Sequence, residues 1–391
     1  MSTEAVIVDV VRTPVGRGKP GGILSEVHPV DLLAGVLDTL VNRSDLDPAL
    51  IDDVIGGCVS QIGEQSYNVT RNAVLAAGFP EHVPGTTIDR QCGSSQQAAT
   101  FAAQAVLAGQ ADIVIACGVE SMSRVRLGSS TAGADPYSSR IRTRYPDGLV
   151  NQGVSAELIA AKWGFSRGEL DEFAARSHTL AAAAQSSGAF ASEVVPVPGV
   201  DTLTDETVRP ATSAESLAEL NPAFRTDELA ERFPELEWRI TPGNSSPLTD
   251  GASAALIMSA ERAEQLGLTP RARFRAFSVV GSDPLYMLTG VIPATAKVLD
   301  RAGLGHDDID AYEVNEAFAS VPLAWLRETG ADAAKLNLRG GAIALGHALG
   351  SSGTRLLTTL VNQLEASGGR YGLQSMCEGG GMANATIIER I

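Results

Sequence analysis

The residues best suited to chemistry in this 391-residue chain are Cys92 in "DRQCGSSQQAATFAAQ", His347 in "GGAIALGHALGSSG" and Cys377 in "MCEGGGMANA". Gly93-Ser94-Ser95 is turn and N-cap chemistry, and Ala98 to Leu107 is strong helix-forming sequence, so the spacing predicts Cys92 at the mouth of a helix. Free backbone N–H groups and the positive end of the helix dipole favour an anion there, which is one way to lower a thiol pKa and make a nucleophile. A lone intracellular cysteine is more often a small buried hydrophobe. The case for Cys92 therefore depends on the rest of the chain.

His347 lies among glycines at 340, 341, 346, 350 and 353, which let backbone approach a ligand closely. That setting separates it from His28, His82, His178 and His306, which read as structural or surface histidines. Cys377 precedes three glycines, whose backbone N–H groups are raw material for an oxyanion hole. Asn315 and Glu316, in "EVNEAFAS", follow a strand-like run and are weak evidence alone.

Short β-branched runs ("AVIVDVV", "DDVIGGCV", "ADIVIACGV") alternate with helical segments such as 29–43, the pattern of an α/β protein with a mainly buried sheet. The second half repeats this grammar: 293–318 parallels 32–59, and "GSSGTRLLTTLV" parallels "GSSQQAATFAAQ". We read an internal duplication that sets the His347 loop opposite the Cys92 loop. Residues 120–244 differ in texture and read as an insertion, with a ligand cleft expected between it and the core. "SPLTDGASAALIMS" then reads as a strand returning to the first half.

The chain has 30 basic and 46 acidic residues, a formal net charge of −16, which argues against nucleic acid or an anionic membrane as the main partner. Its four cysteines are far apart with no C-x-x-C pair, so neither a disulfide framework nor a metal site is expected, and a reducing cytoplasm fits best. The N-terminus does not read as a signal peptide, and no apolar run approaches membrane-spanning length.

Taken in order, "VRTPVGR", "CGSSQQA", "GVESMS", "NPAF", "GNSSPLTDGASA", "NEAFA", "GGAIALGH" and "CEGGGMANATIIER" closely resemble the thiolase family over essentially the whole chain. The resemblance implies a thiolase-like α/β fold: two duplicated βαβαβαββ halves in a layered α-β-α-β-α core with an inserted loop domain. The implied division is 1–119 plus 245–270 for the first half, 120–244 for a CoA-binding insertion and 271–391 for the second half. It also implies roles. Cys92 would take the acyl group, activated by His347, and Cys377 would be the general acid/base. Asn315 would hold a water that helps His347 stabilise an enolate oxygen, and the N–H groups of Cys92 and Gly379 would form a second oxyanion hole. Ser246 corresponds to the pantetheine contact. Arg209 either pairs with the nucleotide end of CoA or is a solvated surface charge, and Phe318 lines the cleft or packs.

The implied reaction is CoA-dependent cleavage of a 3-oxoacyl-CoA to acetyl-CoA and a shortened acyl-CoA, with CoA a substrate, no permanently bound cofactor or metal, and a homodimer or homotetramer. Three departures bear on this. Ala348 stands where many thiolases have proline, which would relax the histidine loop. Arg339 stands where asparagine is common, and Asn151 and Gln152 replace His-Met of short-chain biosynthetic enzymes. The last favours a degradative enzyme for a longer or ring-derived acyl chain over acetoacetyl-CoA synthesis. A decarboxylating condensing enzyme would lack Cys377, and a non-catalytic CoA-binding homologue would have no reason to keep all four site residues.

Overall fold

A computed structural model describes residues 4–391. Among these residues ten strands occur in chain order: β1 (Ala5–Arg12), β2 (Gly16–Arg17), β3 (Asp53–Gly57), β4 (Thr86–Ile88), β5 (Ile113–Ser121), β6 (Thr249–Ser259), β7 (Ala272–Gly281), β8 (Ala311–Val314), β9 (Tyr371–Glu378) and β10 (Met382–Arg390). Apart from β2, which pairs with β6, they run in the order β4-β3-β5-β6-β1-β7-β10-β9-β8. Read outward from the centre, β1-β6-β5-β3 and β7-β10-β9-β8 have the same pairing: antiparallel, antiparallel, then parallel. The duplication is therefore present in topology. The second half has no counterpart of β4, only an isolated parallel bridge from Tyr312 to Leu336. The halves join through two residue pairs, Val6 with Arg273 and Ile7 with Ala272.

Strands β1, β5 and β6 are buried along their whole length, which explains their near-continuous runs of Val, Ile and Ala. Between the two sets of strands lie the helices Ser94–Leu107 and Ser352–Ser367. Ala98, Ala99, Ala102 and Ala103 of the first pack with Leu357, Leu360, Val361 and Leu364 of the second in one core that also takes Ile7, Val114 and Ile388. Helix Pro29–Arg43 covers the outer side of the first half, and helices Val291–Ala302 and Ser320–Thr329 cover that of the second. This gives the α-β-α-β-α layering.

The chain between β5 and β6 spans 122–248 and carries helices Gln152–Trp163 and Arg167–Ser186. It docks mainly on the second half. Ser320 Oγ donates to Ala156 O at 3.0 Å, and Ser177 Oγ donates to Glu316 at 2.6 Å. Buried Arg12 of β1 also ties it to the first half, donating to Glu193 at 2.8 Å and Asp205 at 2.7 Å. Arg339, another departure in the sequence, is buried in the same service: it donates to Gln363, Ala189 O and Asn362 O.

The central helices meet at their N-terminal turns. A Cβ added to Gly353 would lie 2.0 Å from Gln96 N, and one on Gly350 would lie 2.5 Å from Val119 O. Both obstacles are backbone, so only glycine fits. Gly353→Ala is expected to destabilise the protein by about 1–3 kcal/mol through forced backbone displacement. Denaturant unfolding measures this, and an unchanged midpoint would mean the helices can separate freely.

Candidate active site

Cys92 lies in the turn between β4 and helix Ser94–Leu107 and is 2 % exposed. The turn is fixed by Ser94, whose Oγ donates to Gln91 O at 2.6 Å and accepts from Arg90 N at 2.9 Å. The residue before the cysteine, Gln91, holds a left-handed backbone with φ 48°. The helix mouth expected from the sequence is there, but its consequence for the thiol is not. Burial pushes the Cys92 pKa up, aided by neighbouring Cys377 and Glu378, while the side-chain amide of Gln152 acts in the other direction by hydrogen bonding to the thiolate. At rest Cys92 is therefore a neutral thiol, which could act as a nucleophile only if a base took its proton.

His347 is an imidazole held in one tautomer. Its Nδ1 is 2.6 Å from Ser352 Oγ, and the same hydroxyl donates its single proton to Ala348 O at 2.8 Å. Ser352 Oγ therefore accepts from Nδ1–H, and Nε2 keeps its lone pair. Asn315 Nδ2 donates toward that Nε2 at 3.4 Å. Burial, reinforced by Arg355, pushes the imidazole pKa down to about 3, so it is neutral at physiological pH. Ala348 does not leave the loop slack: its carbonyl accepts from Ser351 N, Ser352 N and Ser352 Oγ, and Gly350 N donates to Glu120 at 2.9 Å.

Cys377, in β9, is fully buried, and Asn315 Nδ2 also points at its sulfur, 4.0 Å away. Burial pushes this thiol up to about 12 against the hydrogen bond from Asn315 and one from Ala317 N–H. Asn315 follows β8, its N–H donating to Ser375 O at 3.0 Å, and its Oδ1 has no protein partner. One side-chain amide thus connects the imidazole and the second thiol.

Gly379 begins the β9–β10 turn. The Cβ position on it lies 3.0 Å from Gln91 Oε1 and 3.3 Å from Gln152 Nε2, so this turn faces the segment before Cys92 and the start of helix Gln152–Trp163. Asn151 caps that helix by accepting from Val154 N at 3.1 Å. Behind it Phe233, Leu236 and Trp238 pack on Val150, Val154 and Leu158. Ser246 is half-buried beside the site, its N–H on Ala317 O at 3.0 Å. Phe318 is 8 % exposed and stacks edge-on against Phe224 of "NPAF", with ring centroids 5.8 Å apart, so packing is what it visibly does. Arg209 is exposed on the insertion, where its N–H donates to His178 Nδ1, and no contact joins it to the cysteines.

Supporting roles appear that the sequence does not show: Ser352 and Glu120 carry no signal of their own, and Glu316 is visible there only as a polar residue after a strand. Ser352 fixes the histidine tautomer. Glu120 accepts from Val59 N, Ser60 N and Gly350 N, binding the two halves beside the site. Glu316 accepts from Ser177 Oγ, Asn337 Nδ2 and Ile343 N, anchoring the segment that leads to His347. The Gly-Ser-Ser repeat was the one available signal, for Ser352.

Such an arrangement can move a proton from a thiol to an imidazole and hold a second thiol beside them. Ser352→Ala should lower kcat by about tenfold or more with little change in thermal stability, because the imidazole loses its tautomer restraint. An unchanged kcat would show that Asn315 alone sets the ring.

Comparison with known proteins agrees with this geometry. The thiolase N-terminal domain model matches residues 5–261 and the thiolase C-terminal domain model matches 268–390. The steroid 3-ketoacyl-CoA thiolase FadA6 of Mycobacterium tuberculosis is 47 % identical, over 100 % of this chain and 95 % of its own length. A 3-ketoacyl-CoA thiolase of Marinobacter nauticus is 44 % identical, over 99 % and 98 %. The crystal structure of the Bacillus anthracis acetyl-CoA acetyltransferase superposes with a TM-score of 0.88 at 37 % identity, covering 100 % of this chain and 99 % of that one. With both domain models matched in order, and with full-length relatives well above the level at which a family is shared, this chain belongs to the thiolase family.

Proposed function

We propose that the protein cleaves 3-oxoacyl-CoA substrates with CoA, in a degradative direction, through an acyl-enzyme on Cys92. The observation that carries this reading is the convergence of Asn315 Nδ2 on His347 Nε2 at 3.4 Å and Cys377 Sγ at 4.0 Å. Cys92 attacks the C3 carbonyl as its proton passes to His347 Nε2. The tetrahedral intermediate places its oxyanion on the N–H groups of Cys92 and Gly379. Breaking the C2–C3 bond leaves an acyl-Cys92 thioester and the enolate of acetyl-CoA, whose oxygen is met by protonated His347 and the Asn315 side. Cys377 protonates its carbon. The Cys377 thiolate then takes the proton of incoming CoA, which attacks the thioester; the shortened acyl-CoA leaves, and the departing Cys92 sulfur takes back the proton held on His347 Nε2.

The residue types suit this cycle. A cysteine acyl intermediate is itself a thioester, so transfer to CoA exchanges like for like. A second thiol, pushed up to about 12, is basic enough once ionised to accept a thiol proton. Ser246 at the site rim is our candidate for the pantetheine arm, and Arg209 for the nucleotide end. CoA is substrate rather than resident cofactor.

For the acyl group we favour a long or ring-derived chain. The names of the relatives support it, one of them a steroid 3-ketoacyl-CoA thiolase. So does Gln152, an amide at the nucleophile where short-chain biosynthetic enzymes carry a different pair. We read the assembly as a homodimer or homotetramer, since β4 leaves an open sheet edge and Tyr67, beside Asn68 on that edge, is 93 % exposed. We place it in the cytoplasm on its four free cysteines. No helix among the described residues is long and apolar enough to cross a membrane.

Steady-state thiolysis with acetoacetyl-, long-chain and ring-derived 3-oxoacyl-CoAs tests the specificity. A kcat/KM at least about tenfold higher for a bulky member is expected. A preference for acetoacetyl-CoA would return the protein to the biosynthetic reading.

A further inference from the structure

Glu378 follows Cys377 in β9, yet the cycle above gives it no task. Its side chain is fully buried, and among the described residues it forms no ion pair and neither carboxylate oxygen has a hydrogen-bond partner. It is pressed against the residue after the nucleophile: a Cβ on Gly93 would sit 2.0 Å from Glu378 Oε1 and 2.9 Å from the Asn384 amide atoms. Asn384 gives one of its two amide N–H groups to Gly93 O at 3.1 Å, and its Oδ1 is also buried without a partner. This small space therefore holds three acceptor atoms without a partner, and the Nε–H of Arg90, whose charge acts on Glu378, is buried and unpaired without reaching any of them. An ionised carboxylate makes that worse, whereas a protonated one supplies an O–H to a group that lacks it.

The charged and titratable groups facing Glu378 are Asp89 and Arg90, from the turn before Cys92, and the two thiols. Burial dominates and pushes its pKa up to about 8, with Arg90 opposing and Asp89 reinforcing. Its charge in turn is among the causes that raise both Cys92 and Cys377.

We infer that Glu378 is a positioning residue that works as a neutral carboxyl, filling the space behind Gly93, and that its ionisation suppresses thiolate formation at Cys92 and Cys377. This rests on Cys92 being the nucleophile and Cys377 the acid/base. Each carries negative charge at one stage of the cycle, and a second buried anion beside them opposes both. The enzyme would thereby carry a built-in alkaline limit.

The test is the rate of Cys92 alkylation by iodoacetamide as a function of pH, read by peptide mass spectrometry with Cys58 and Cys117 as buried internal references. In the wild type the rise with pH should flatten above about pH 8, where Glu378 ionises. In Glu378→Gln the rise should continue, reaching about tenfold the wild-type rate on the alkaline side. If that variant does not fold, Arg90→Gln serves instead: loss of the cation favours the neutral carboxyl and should move the bend to higher pH. Superimposable profiles, or a bend moved downward in Arg90→Gln, would overturn the inference alone. Alkylation of Cys92 no faster than of Cys58 and Cys117 at every pH would overturn the nucleophile reading and the inference with it.

Discussion

The two central helices approach so closely at their N-terminal turns that Gly353 has no room for a Cβ against Gln96 N. This contact is what makes one site out of two halves. It sets the turn carrying Cys92 against the loop carrying His347, and the Glu120 carboxylate secures it by accepting N–H bonds from Val59 and Ser60 of the first half and Gly350 of the second. A charge-accepting group with three backbone donors holds its geometry far better than side-chain packing alone would. Cys377 arrives from the same half as His347, on a strand whose edge partner β8 delivers Asn315.

The electrostatics of the pocket are set by burial more than by the helix dipole. Both thiols are raised and the imidazole is lowered, so the resting site is uncharged: two thiols, a neutral ring and an amide. In the proposed cycle charge appears only when substrate arrives. That condition protects the thiols from adventitious reaction and explains why hydrogen-bond donors, from Asn315, Gln152 and Ala317, surround the sulfurs.

Much of this was legible in the chain. The paired Gly-Ser-Ser helices point to the duplication, and the change of texture near 120 falls close to the end of β5 at Ser121. Cys92, His347 and Cys377 stand out in the sequence by the glycines and small residues around them, although the structure shows that Gly350 and Gly353 also serve the close approach of the two central helices. What stayed hidden depends on long-range contact. Glu120 looks like a strand-end acid until Gly350, 230 residues away, donates to it. Glu316 gains its meaning from Ser177 and Asn337. The thiol shift of Cys92 had the opposite sign to the helix-mouth expectation because local sequence cannot report how completely the site is covered. The missing proline at Ala348 is offset by hydrogen bonds to its carbonyl, which no residue count reveals.

The central claim is that acyl groups pass through a thioester on Cys92. The direct measurement is to mix the protein with a 3-oxoacyl-CoA in the absence of free CoA, quench, and map covalent mass by peptide mass spectrometry. The account requires the shortened acyl group on the Cys92 peptide, lost when CoA is added and matched by newly formed acyl-CoA. An acyl group found on Cys377, or turnover of the same substrate with no adduct on Cys92, would contradict it.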